Sequence, residues 1–322
     1  MNIEQVVGVA GYQNIQLLRD GKVVFETGFQ KNMILDTWFD RVLTNGNSQT
    51  LELGASFCAV GTGTTAVNPT QTSLVSFLAI KAGNNGFDYG YDGLVDGVPT
   101  GWAERRFDFA QGAVVGNIAE VGTGMQFSPN SSTPLLTRAL ILDTNNNPTT
   151  ISVTADDQLR IIHRIYTRWN PTPVTGSFQI TSQGNTVTHN FDLRFIVRAS
   201  DQPGRYSFVD ISSRNYRDGS FMSSPTLCET LTHSNSFDSP TTNNTQSTGG
   251  MGISAFNFVK NGLTLTATAE IPVGVGNFAQ GIGGMVFNQV LGCSYAISFS
   301  PRIPKTNLNK FRYTVSVTFA RI

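Results

Sequence analysis

The chain has 322 residues, enough for one large β domain or two of medium size. Only 14% of them are charged, and 22 Lys plus Arg balance 22 Asp plus Glu to a net charge of zero, where ordinary soluble domains carry about 25% charged residues. Without a basic excess no nucleic-acid partner is expected, and without an apolar run near the roughly 18–20 residues of a membrane helix no membrane partner is expected.

Thr, Ser, Asn and Gln supply the polar surface instead. Such a surface has little charge to keep like copies apart, and it suits permanent assembly. Cys58, Cys228 and Cys293 are too few and too widely spaced for a disulfide framework or a zinc site. They read as small buried hydrophobes made in a reducing cytoplasm. Met1 to Ala10 lack a basic stretch followed by an apolar one, so no secretory signal is expected, and release from a cell would be by lysis.

In chain order, Ile15–Arg19, Asp20-Gly21 and Lys22–Glu26 spell a hairpin with a two-residue turn. A helix follows, capped by Asn32, with Ile34, Leu35, Trp38, Phe39, Val42 and Leu43 on one face and Asn45-Gly46 at its end. Ser56–Val60 leads into Gly61-Thr62-Gly63, and Gly116–Glu120 leads into Val121-Gly122-Thr123-Gly124. Each copy reads as a strand meeting a corner where glycine takes a positive φ. A second, shorter helix is expected over Thr72–Ala79, with Leu74, Phe77 and Leu78 inward.

Strands are then predicted at Trp102–Phe109, Thr137–Asp143, Thr150–Thr154 and Leu159–Tyr166, with a turn at Asn145–Pro148. Trp169-Asn170-Pro171-Thr172-Pro173 breaks regular structure and sets a boundary. Beyond it, Ser177–Thr181, Asn185–Asn190, Phe191–Ala199 and Gly262–Glu270 read as strands, and the polar stretch Asn235–Gly250 reads as a long loop. In Phe311–Arg321 the residues Phe311, Tyr313, Val315, Val317 and Phe319 share one face, so this last strand belongs inside a sheet. The expected fold is all-β, a mainly antiparallel β-sandwich with one short N-terminal helix. It divides into an assembly domain at 1–170, built around the two Val-Gly-Thr-Gly corners, and a second β domain at 171–322.

Candidate chemistry is sparse. Gly61-Thr62-Gly63-Thr64-Thr65-Ala66 has the letters of a dinucleotide fingerprint, but Val67-Asn68-Pro69 blocks the helix that must follow and no acid stands about 20 residues on. Asp88, Asp92 and Asp96 could wrap a hard cation such as Ca2+ from a Gly-rich loop, yet their spacing is not that of an EF-hand, and a surface loop of Asp-Gly turns is the favoured reading. A glycosidase needs two carboxyls roughly 5–10 Å apart. Asp156 and Asp157 are adjacent turn residues, and nothing in the sequence joins Glu104, Asp108 and Glu120 into a pair. His163, His189 and His233 share no ligand spacing, and Trp38, Trp102 and Trp169 read as core or interface anchors. No catalytic, cofactor-binding or metal-ligating residue is assigned, no cofactor is expected, and the chain is read as no enzyme.

Several short motifs of the first half occur in a telling order. Asn32-x-Ile34-Leu35-Asp36 and Phe39-Asp40-Arg41 precede Val60-Gly61-Thr62-Gly63-Thr64-Thr65 and Pro69-x-Gln71-Thr72-x-Leu74. Glu120-Val121-Gly122, Leu136-Thr137-Arg138-Ala139-Leu140-Ile141, Pro148–Val153 and Asp156-Asp157-Gln158-Leu159 follow. Over residues 1–170 this order resembles a recurring class of virion structural proteins of tailed bacteriophages, the tail, collar, neck or fibre-associated components. The resemblance implies a non-enzymatic building block whose partners are other copies of itself and other neck, tail or fibre proteins. It implies a place in the virion, assembled in the host cytoplasm and released by lysis. The alternative within the same particle is a receptor-binding fibre module or a capsid decoration protein, with the residues around 84–102 and 235–250 as the place to look. Residues 171–322 resemble no family, and the chain's particular role is expected there.

Overall fold

The computed structural model describes residues 2–44, 55–83, 85–126, 128–182, 184–196, 225–234, 240–247, 254–290 and 293–322. Nearly all of its regular structure is strand. The first half runs β1 (Asn2–Arg19), β2 (Lys22–Glu26), β3 (Gln30–Ile34), α1 (Asp36–Thr44), β4 (Phe57–Gly61), β5 (Phe77–Ala82), β6 (Gly86–Val95), β7 (Val98–Asp108), β8 (Gly116–Ile118), β9 (Glu120–Gly124), β10 (Leu135–Leu140), β11 (Ile151–Val153) and β12 (Gln158–Trp169). The second runs β13 (Val174–Ser182), β14 (Asn185–Ile196), β15 (Thr226–Thr232), β16 (Thr241–Ser247), β17 (Ser254–Asn261), β18 (Thr264–Ile271), β19 (Ile282–Val290), β20 (Cys293–Ile303) and β21 (Phe311–Arg321). Among the described residues no helix is long and apolar enough to cross a membrane.

The long strand β1 organises the larger sheet. One edge pairs with β12 over Val7–Leu18, and β7 and then β6 follow outward, all antiparallel. The other edge is shared among β21 at Asn2–Val9, β3 at Gly11–Gln13 and β2 at Gln16–Arg19. The β1–β21 ladder is parallel, the exception among the described pairs. β18 and β17 extend the sheet beyond β21, so its hydrogen bonding passes across residue 170. As its alternation requires, β21 lies between two strands with Phe311, Tyr313, Val315, Val317 and Phe319 buried. From β3 the pairing turns into β10, β9, β4 and β5, while β13, β14, β20, β19, β15 and β16 form a separate six-stranded sheet.

Alternation on β12 places Leu159, Ile161, His163, Ile165, Thr167 and Trp169 inside. Ile161 joins an apolar cluster with Ile15, Phe107, Val60, Val121 and Ile118. Ile165 and Trp169 join a larger one that carries Val7, Trp38 and Phe319 together with Phe195, Met285 and Phe287 of the six-stranded sheet. Between the clusters runs a polar row in register across three strands, Gln13 on β1, His163 on β12 and Arg105 on β7, each 1% exposed.

Both residues of the β1–β2 turn take positive φ, 51° at Asp20 and 74° at Gly21, as the sequence predicts. The helix begins later than expected. Asn32 is not its cap but a buried residue of β3, paired opposite Gly11 and hydrogen-bonded to His163 Nδ1 at 3.1 Å. With its side chain committed and its backbone in a ladder, the chain stays extended to Ile34. α1 is then placed by Asp36 N–H donating to Pro69 O at 2.8 Å and by the Arg321–Asp36 ion pair, and it buries Trp38 and Phe39. The Asn45-Gly46 end lies outside the described residues.

The helix expected over Thr72–Ala79 is not formed. Phe77–Ala82 is a strand paired with β4, and Phe77, expected inward, is 41% exposed. Pairing across the sheet overrides the helical spacing of Leu74, Phe77 and Leu78. Within the expected loop Asn235–Gly250, Thr241–Ser247 is an edge strand paired with β15, and residues 235–239 and 248–250 lie outside the described residues. A Thr-rich edge strand with no buried face shows no alternation to read.

The two Val-Gly-Thr-Gly copies are not corners with positive φ, since none of Gly61, Gly63, Gly122 and Gly124 has one. They are antiparallel neighbours, with Phe57 opposite Gly124 and Gly61 opposite Glu120. Their glycines permit close approach: a Cβ on Gly124 would run into the Phe57 ring, and one on Gly63 into the Glu120 carboxylate. That carboxylate, fully buried, accepts N–H bonds from Gly63 at 3.0 Å, Val75 at 3.1 Å and Ser76 at 2.8 Å. It is paired with the equally buried Arg138, whose Nε lies 2.8 Å away. The remaining guanidinium nitrogens reach Gln71 Oε1 at 2.8 Å and Thr65 O at 3.0 Å. The irregular segment from Thr62 to Ser76 therefore hangs on one side-chain pair. Replacing Arg138 by Met strands a buried charge, and chemical denaturation is expected to show a loss of about 3–5 kcal/mol.

Candidate functional site

The outward face of β1, β12, β7 and β6 carries half-buried aromatic and charged side chains, and pleating sets its rows. Register puts Tyr12, Arg164, Glu104 and Asp88 in one row, then Ala10, Tyr166, Trp102 and Gly90, then Gly8, Arg168, Thr100 and Gly93. The small residues at the ends of the rows hollow the surface. Gly90 leaves room for the Trp102 indole to lie against the β6 backbone.

Arg164 is the hub. Its guanidinium stacks 4.1 Å from the Trp102 ring centre and 4.2 Å from that of Phe29, an exposed residue that precedes β3. Nε and Nη2 donate to Glu104 Oε2 at 3.0 and 2.7 Å, and Nη1 donates to the Tyr166 hydroxyl at 3.0 Å. Trp102 Nε1 donates to Asp92 Oδ1 at 2.9 Å, and Tyr12 meets Tyr166 edge-on at 5.3 Å. Beside this stack lies an open cleft of about 360 Å3 lined by Tyr12, Phe29, Asp92, Thr100, Tyr166 and Arg168. Arg168 Nη2 donates to Val95 O at 2.7 Å, while its Nε is buried without a hydrogen bond. Aromatic walls with a carboxylate, a hydroxyl and a guanidinium at the rim can hold a small polar ring: apolar faces stack and hydroxyls bond.

Four of the five acids weighed as a hydrolytic pair are occupied separately. Glu104 pairs with Arg164, Asp108 with Arg160 at 2.6 Å, Asp157 with Arg19 and Thr154, and Glu120 with Arg138. Asp88 and Asp92 lie on the strand β6, not in a loop, and Asp96 sits in its two-residue turn with Gly97 at φ 52° and 74°. The period-two order of a strand replaced the expected loop because Asp96-Gly97 closes a hairpin with β7. At Gly61–Ala66, the N–H of Gly63 that a phosphate would need is taken by Glu120. Among the described residues no three of His, Cys, Asp and Glu gather where they could hold a metal ion.

The three histidines stand apart. His163 touches Asn32 and, at 3.5 Å, Thr123; His189 meets Pro301 O at 2.8 Å under Phe178; His233 meets Asp192 O at 2.9 Å. Trp38 and Trp169 are buried, and only Trp102 belongs to the face. Burial pushes the Cys58 thiol up, and the Cys228 thiol up to about 11, so both are inert at neutral pH. The sequence did not single out Tyr12, Phe29, Arg164, Tyr166 or Arg168. Alternation on each strand was the available signal, but it does not say which strands lie side by side. No family model, curated protein or solved structure matches the chain.

Burial lowers the His163 pKa from 6.5 to about 3, so the folded protein keeps this ring neutral. The unfolded chain binds the proton below about 6.5, so this contribution to stability is intact above that pH and falls as pH drops toward 3. The expected slope is up to about 1.4 kcal/mol per pH unit. Denaturation midpoints between pH 7 and pH 4 are expected to fall less steeply in His163→Gln than in the parent chain.

Proposed function

We propose that this chain is a structural subunit of a tailed-phage virion. It forms a homo-oligomeric part of the neck, collar or tail, or seats a fibre there, and its architecture is a β-sandwich in two domains. The observation that carries the reading is where the resembling motifs meet. Gly63, Thr65, Gln71, Glu120 and Arg138 all belong to the ordered motifs of the first half, and they converge on one buried hydrogen-bonded node. Their use is architectural, and Glu104, Asp108, Asp157 and Glu120 are each committed to a separate arginine. The low charge and zero net charge fit a surface made for other copies and neighbouring virion proteins. Gold-labelled antibody against the chain, imaged on intact particles, is expected to mark the head–tail junction, tail or fibre base. Particles free of label, with the chain left in the lysate, would sink the proposal.

The cleft beside Tyr166 favours a second reading, receptor binding, in which the partner is a pyranose ring of a surface glycan. Saturation-transfer NMR with methyl glycosides of glucose, galactose, mannose and N-acetylglucosamine is expected to show transfer to the sugar ring protons that Tyr166→Ala abolishes. Equal transfer in the variant would remove the cleft from consideration.

A further inference from the structure

Among the described residues the sheet edges are blunted one by one, with a single exception. The outer strands β2, β5, β6 and β17 each carry an extra residue that shifts the register against their one neighbour. β16 holds Asn244 at φ 46°, in the left-handed region, and β8 and β11 are only three residues long. Bulges, kinks and short strands turn an edge away from further pairing. β13 has none of these. All nine of its residues, from Val174 to Ser182, face β14 in unbroken register, and among the described residues no strand pairs with its other side. Charge and proline, the other common guards, are missing as well. No Asp, Glu, Lys or Arg occurs between Arg168 and Asp192, and no proline lies within the strand.

Pleating gives the strand two faces. Val174, Phe178 and Ile180 pack against the larger apolar cluster, while Thr175, Ser177, Gln179 and Thr181 stand exposed on the other side. Ser182 and Asn185 close the hairpin with two residues between them, and from that pair the backbone bonds to β14 alternate. Thr181 and Thr186, whose hydroxyls meet at 2.8 Å, form the next pair, one without backbone bonds. The N–H and C=O groups of Thr175, Ser177, Gln179 and Thr181 therefore point away from β14, toward the open edge. The β14–β20 ladder stops at Asn190, so the end of the hairpin beyond it is held only by its own two strands. Such a two-stranded end is marginal in water by itself.

We infer that β13 is a homotypic docking strand, to which a second copy of this chain adds its own β13, antiparallel about a two-fold axis through Phe178. That register pairs all nine residues, from Val174 opposite Ser182 at the ends to Phe178 opposite itself. Ser177 then faces Gln179, Thr175 faces Thr181 and Gly176 faces Ile180. Each pair is an even number of positions apart, so both members lie on one face of the joined sheet. Polar side chains meet on the exposed face, above the outward backbone groups that bond across the axis. On the other face Phe178 and Ile180 of both copies extend one apolar layer. The lack of charge favours a second copy as the occupant. It offers a charged partner nothing to match, and it sets no like charges opposite each other across the axis. Nine residues a side fall short of the roughly 20–30 of a standard interface. The contact is therefore a weak dimer in solution and one of several contacts in an assembly. The inference deepens the proposed homo-oligomeric role and rests on it for its biological setting.

The test uses the purified full chain. Sedimentation equilibrium at high protein concentration is expected to show a dimer. Ser177→Pro removes an outward N–H while leaving the β14 ladder intact, and it is expected to weaken the dimer about tenfold. Ser177→Lys with Gln179→Lys in one chain sets like charges opposite each other at two places and is expected to weaken it as much. Ser177→Glu with Gln179→Lys sets opposite charges there and is expected to keep the parent's association. An equimolar mixture of Ser177→Cys and Gln179→Cys chains is expected to form a 177–179 disulfide under mild oxidation, because the register holds these two backbones about 5.5 Å apart. A monomer at every concentration, or a dimer indifferent to both the proline and the paired lysines, overturns the inference. A Glu–Lys chain as weak as the Lys–Lys chain, or Ser177→Cys linked to itself in preference to the mixture, overturns the register. These readings are made in solution, so a chain missing from virions would defeat the phage assignment and leave the pairing standing, while a monomeric chain found in virions would do the reverse.

Discussion

The buried Glu120–Arg138 pair is the constraint from which the first half of the fold follows. It joins neighbouring strands β9 and β10, but most of its bonding capacity is spent outside them, on three backbone N–H groups and on two oxygens of the segment between Thr62 and Ser76. A charge with no access to water needs its partner and its remaining hydrogen bonds at once. That need explains the glycines of the first Gly-Thr-Gly copy better than any turn does. Gly63 must be bare because the carboxylate lies where its side chain would stand, and Gly122 and Gly124 must be bare where Leu135 and Phe57 cross them. Pro69, in the same segment, offers the carbonyl that places the first turn of α1. One ion pair thus fixes a long irregular segment and, through it, the start of the helix.

A second polar device lies deeper. Gln13, His163 and Arg105 cross the larger sheet in a single row, and across from them Asn32 and the Thr123–Thr137 hydroxyl pair at 2.7 Å belong to β3, β9 and β10. Apolar clusters flank the row on both sides. An uninterrupted apolar face would tolerate a two-residue slip of β12 along β1, since every inward position would again be hydrophobic. With His163 in the row, such a slip puts imidazole among aliphatic side chains and leaves Asn32 without its partner. The row costs stability relative to a hydrophobic filling and gives register in return, the role best attested for buried polar groups.

What the sequence made legible is local or strictly periodic. Asp20-Gly21 and the flanking alternation were enough for the first hairpin, since the turn residues alone carry its backbone angles. β12 and β21 were readable because each is buried on one face along its whole length. β5 was not, because Leu74, Phe77 and Leu78 imitate helical spacing while a carboxylate 44 residues away holds the backbone at Ser76. β16 was invisible for the opposite reason: with water on both faces, nothing restricts its side chains to a pattern. The parallel pairing of the first strand with the last joins residues separated by nearly the whole chain, and no local signal encodes it. The aromatic face has the same origin, since Tyr12, Trp102 and Arg164 become neighbours only through strand order.

The fold thereby separates its inner and outer tasks. The glycines of the repeated motif, with Glu120, are turned inward and held by close packing and hydrogen bonds, while Thr62 stays at the surface. Residues that are available, the β13 edge and the hollow beside Tyr166, carry no motif and follow from pairing alone. Charge follows the same division. Inside, Glu120 is neutralised by Arg138 and buried Lys305 is held by the neutral oxygens of Pro272 and Asn277, while on the outward face Arg164 is shared among Glu104, the Tyr166 hydroxyl and the rings of Trp102 and Phe29.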